Sequence, residues 1–126
     1  MQTYILLSLF FSHFICDFTH LSTSWMLEAK IFGKPLYPIF FHSTVHAVGQ
    51  LLILSFLFGI TGHKLIILFL IQLISHFLID TWKGRMNVWF PILQSPQNKE
   101  HWIIFGFDQF LHAVVIIFMS HIAVYF

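Results

Sequence analysis

The stretch HKLIILFLIQLISHFLIDTWK, residues 63–83, decides how this chain is read. From Leu65 to Trp82 it is a nearly unbroken apolar run, about long enough for a helix to cross ~30 Å of hydrocarbon. Its only ionisable side chains are His76 and Asp80. A four-residue step on a helix rises about 6 Å and turns about 40°, so both face the same way. Working outward, three more apolar runs carry a pair with the same spacing: His13 and Asp17, His42 and His46, Asp108 and His112. These four pairs include every aspartate of the protein and five of its nine histidines. Ionisable groups inside apolar segments are costly and by default mark function. Four pairs, one per segment, point to one shared cation site.

Composition supports a membrane protein. Of 126 residues, 58% are hydrophobic and 9% charged, against about 25% charged in soluble domains. The spacing predicts an all-α, integral-membrane four-helix bundle forming a single domain, residues 1–126. Its helices are expected at about 2–20, 38–60, 64–82 and 102–124, with an interfacial connection over about 84–101. The first run lacks a basic leader and carries His13 and Asp17, so it reads as a retained helix rather than a signal peptide. Cys16 is the lone cysteine, which excludes an intrachain disulfide. A net charge of +1 makes no case for nucleic-acid binding.

Basic residues orient the chain. Loop 1 holds Lys30 and Lys34, and loop 3 holds Lys83, Arg85 and Lys99, whereas loop 2 holds Lys64 alone. The positive-inside rule then puts loops 1 and 3 in the cytoplasm and both termini on the far side of an up-down-up-down bundle. On that topology all four pairs reach one depth, in the leaflet beside loops 1 and 3. Connection 84–101, with Pro91 and Pro96 among Trp89, Phe90, Ile92 and Leu93, is expected at the interface as a partial cover over the polar cluster.

Three ionised aspartates in hydrocarbon demand compensation, several kcal/mol each. Five imidazoles and three carboxylates provide eight metal ligands: His13, Asp17, His42, His46, His76, Asp80, Asp108 and His112. That is enough for two divalent ions, with zinc favoured and iron or manganese the alternatives. Asp80 or Asp108 would act as catalytic proton acceptor instead of ligand. Lys83 and Arg85 are candidates for holding an anionic headgroup, although snorkelling anchors have the same composition. Gln72, one turn before His76, and Gln109 beside Asp108 are expected to orient ligands. His20 and His101 are possible extra ligands more simply read as interfacial residues, and His63 and His121 fall outside the site.

Taken together, His-x-x-x-Asp-Phe from His13, Trp25-Met26 with Lys30, His42-x-x-x-His46, Ser75 to Asp80 with Lys83, and Asp108-Gln109-x-x-His112 resemble a family of small bacterial and phage membrane proteins classed as a domain of unknown function. That family is similar to inner-membrane metal-dependent hydrolases. Ser22 and Thr23 stand near where the family has a glutamine. The resemblance implies metal-dependent hydrolysis, in which activated water attacks a lipid or lipid-linked substrate. Three other readings use the same residues: a membrane di-iron oxidoreductase, a metal or proton transporter, and a non-enzymatic membrane component of a phage or defence system. The expected partners are membrane lipids and either further copies of the chain or a membrane protein.

Overall fold

The apolar sequence forms five helices and one 3-10 turn, with no strands, and glycine or proline marks every break between helices except the first, at residues 19–23. The computed structural model describes residues 1–126. The helices are α1 (Gln2–Phe18), α2 (Ser24–Phe32), α3 (Leu36–Phe58), α4 (Gly62–Trp89) and α5 (Lys99–Tyr125), with the 3-10 turn at Pro91–Gln94. Helices α3, α4 and α5 are each long and apolar enough to cross a membrane. Helix α1 has 17 residues.

Two differences from the sequence expectation bear on the site. Loop 1 contains a helix, α2, with Thr23 at its N-cap position and Gly33 ending it in the left-handed conformation (φ 62°), where a side chain would be strained. Helix α4 also continues past Trp82 to Trp89, because no proline interrupts it before Pro91. The last connection therefore covers residues 90–98 rather than 84–101.

Helix α1 packs against α3 and α5, α4 packs against the same two helices, and α2 lies against α3 and α4. Small residues set the α1–α3 distance: a Cβ on Gly49 would lie 3.2 Å from Ser12 Oγ and 3.3 Å from Cys16 Sγ. The interior is layered in four-residue steps. An apolar layer of Ile5, Leu9, Leu54, Leu68, Ile116, Met119 and Ala123 fills one end. The ionisable pairs follow toward the other end: Leu9 leads to His13 and Asp17, and Ile116 leads back to His112 and Asp108. Meanwhile Phe11, Phe14, Phe40, Phe41, Phe110 and Phe118 point outward. Apolar outside and ionisable inside is the reverse of a soluble domain.

Candidate metal centre

All eight sequence-predicted ligands come together, and all are buried. Ligand atoms of Asp17, His42, His46 and His76 lie within 4.8 Å of one another, as do those of His13, His76 and His112, and those of Asp80, Asp108 and His112. The imidazoles crowd closely, with centroids 3.8 Å apart for His46 and His76 and 4.3 Å for His76 and His112.

Helical spacing divides them into two adjoining layers. The inner layer, next to the apolar core, takes one histidine from each long helix: His13, His46, His76 and His112. The outer layer, one turn away, holds Asp17, His42, Asp80 and Asp108. Carboxylates lie near the inner rings without hydrogen-bonding them: Asp80 Oδ2 is 3.3 Å from His76 Nε2 and Asp80 Oδ1 is 3.4 Å from His112 Nε2. The four inner Nε2 atoms, both Asp80 oxygens and Asp108 Oδ1 are buried with no hydrogen-bond partner. Buried polar groups are normally paired, so this donor set fits a cation. Nitrogen and oxygen ligands without thiolate suit zinc, iron or manganese.

Sequence reasoning missed Lys30. Its ammonium donates to Asp17 Oδ1 at 2.9 Å, and it lies 3.2 Å from Asp80 Oδ2 and 3.1 Å from His42 Nε2. Burial alone would pull the lysine pKa down, but the Asp80 and Asp17 carboxylates outweigh it and hold the pKa above its ordinary value. Helix α2 delivers this side chain by a backbone-to-backbone contact with α4. A Cβ on Gly84 would lie 2.1 Å from Gly33 N and 2.5 Å from the Lys30 carbonyl oxygen. Asn87 Nδ2 also donates to the Ile31 carbonyl at 3.0 Å, fastening the end of α2. Thr23 and Gly33, bracketing nine residues, were the available sequence signal for this helix.

Two members of the cluster, Asp17 and Asp108, line a vestibule of about 550 Å³ formed by residues of α1, α2, α4 and α5. Asp17 and Asp108 stand at its base, Lys30, Lys83 and Asn87 along its wall, and Gln94 and His101 contribute from the last connection and the start of α5. Lys83 Nζ lies 3.6 Å from Asp108 Oδ2 and 5.0 Å from the Phe105 ring centre. Arg85 does not line the vestibule. Gln109 Nε2 donates to Asp108 Oδ2 at 3.0 Å, and the Gln72 amide is 3.3 Å from His76 Nδ1. His101 Nδ1 lies 2.6 Å from the Leu93 carbonyl oxygen, outside the ligand cluster. His20, His63 and His121 are exposed.

Fold and site define an all-helical protein with three helices suited to a membrane and a buried His/Asp group that could hold a metal ion. The chain belongs to the DUF3307 family, proteins of unknown function, which it matches over residues 5–126. No curated protein and no solved structure shows significant similarity to it.

Proposed function

We propose that this chain is a metal-dependent hydrolase embedded in a bacterial inner membrane as an up-down-up-down four-helix bundle, acting on a lipid or lipid-linked substrate. The carrying observation is that the buried ligand cluster borders the vestibule through Asp17 and Asp108 rather than being a sealed core. A structural metal would need no such opening, and a transport path would need to continue past the inner histidines. Beyond them lies the apolar layer around Leu9, Leu54, Leu68 and Ile116.

A divalent cation bound in the cluster would act as a Lewis acid and lower the pKa of water toward neutrality. The chain's own groups divide the remaining tasks. Asp108, at the vestibule base with Oδ1 unpaired, is better placed than Asp80 to take a proton from attacking water. Asp80 lies deeper and is fully enclosed, touching Lys30, His42, His76 and His112. Lys83 holds an anionic group of the substrate in the vestibule, while Phe18, Leu27, Ile31 and Phe105 supply the apolar wall for its lipid portion.

The test is turnover of a panel of ester- and phosphoester-linked lipids by detergent-purified protein, with and without chelator. His46→Ala and Asp80→Ala should each lower turnover at least about 100-fold, more than 2.7 kcal/mol of transition-state stabilisation, while membrane insertion and helix content stay unchanged. Undiminished turnover in these variants would sink the mechanism. Bound iron with redox-dependent optical bands would favour the oxidoreductase instead.

A further inference from the structure

We infer that Lys30 is the second cation of this centre, occupying its outer layer and restricting it to one divalent metal ion. The inference rests on the metal-binding reading above and departs from the two-ion expectation drawn from ligand number.

The two layers have different neighbours. In the outer layer, the Lys30 ammonium is within 3.2 Å of Asp17 Oδ1, Asp80 Oδ2 and His42 Nε2, three of the atoms a second ion would need. In the inner layer, one Nε2 from each of His13, His46, His76 and His112 is buried and unpaired. Of these, the ligand atoms of His13, His76 and His112 lie within 4.8 Å of one another. Three nitrogens from three helices are enough for one ion, since catalytic sites commonly use three protein ligands and leave a position open.

Charge leads to the same count. Three carboxylates face two ammonium groups, Lys30 against Asp17 and Asp80, and Lys83 against Asp108. The cluster therefore carries one net negative charge, and a single divalent ion brings it to one net positive charge. A second ion would raise the surplus to three in a low-dielectric interior, directly beside an ammonium. The lysine is not free to leave, because its helix is pinned to α4 at the Gly33–Gly84 contact. Lys30 also lines the vestibule. It therefore presents positive charge to an incoming anionic group, the electrostatic task a second ion performs in two-metal centres.

The experiment is zinc stoichiometry on the full-length protein in detergent, saturated with zinc, desalted and measured by elemental analysis per chain. Wild type and Lys30→Arg should hold one equivalent, and Lys30→Met should hold two. Two equivalents in wild type or in Lys30→Arg would overturn the role of Lys30 and leave the metal reading standing. One equivalent in a folded Lys30→Met would also overturn it. No zinc in wild type would overturn both. Wild type and Lys30→Arg decide the question even if Lys30→Met fails to fold.

Discussion

A histidine in this cluster can ligate through Nε2 only if its proton sits on Nδ1, so whatever touches Nδ1 matters as much as the ligand itself. At His76 that neighbour is the Gln72 amide, 3.3 Å away. The atom facing Nδ1 is Gln72 Nε2; with the amide turned over, its oxygen would accept the Nδ1 proton and fix the tautomer that leaves His76 Nε2 free. Gln72→Leu should therefore weaken zinc affinity by about 10- to 100-fold while leaving the ligand set intact. Competition with a chromophoric chelator measures this, and unchanged affinity would assign Gln72 to packing alone. Gln109 does the corresponding work for Asp108 through its 3.0 Å hydrogen bond. Both glutamines were legible in the sequence, because each lies at a fixed helical offset from the residue it serves. Lys30 was not, because its partners Asp17, His42 and Asp80 belong to three other helices.

At the scale of elements, α2 is the part whose position depends on a single contact. Gly84 and Gly33 allow backbone to meet backbone, and every atom a Gly84 side chain would strike is main chain. Such atoms cannot rotate away, so Gly84→Ala should force α2 off α4. Overpacking of this kind costs roughly 1–3 kcal/mol. The expected outcome is a lower unfolding temperature together with faster tryptic cleavage after Lys30. Wild-type cleavage rates would show that α2 is not held there. The helix itself could be read from Thr23 and Gly33 at its ends, but nothing local says which neighbour it docks on. Similarly, the reach of α4 to Trp89 follows from the absence of proline before Pro91. A boundary drawn where the apolar run stops falls short of that, since α4 keeps its hydrogen bonding beyond its last apolar turn.

Across the whole molecule, the outward phenylalanines and the inward charges argue for lipid as the solvent around α3, α4 and α5. The proposed orientation places residues 90–98 in the cytoplasm and the α3–α4 turn on the opposite side. In a Cys16→Ala background, Ser95→Cys should react with an impermeant maleimide only from the cytoplasmic face, and Thr61→Cys only from the other. The reverse pattern would invert the orientation and place the vestibule on the outer leaflet. The sequence by itself determined the helical class, the four ligand pairs and their common depth. Those depend on composition and on a four-residue spacing that any helix converts into a shared face. Only the tertiary structure decided that the pairs stack as a histidine layer beneath a layer of three carboxylates and His42, that Lys30 enters the second of these, and that a vestibule opens above it. Each depends on contacts between helices far apart in sequence, and above all on the two glycines that let α2 approach α4.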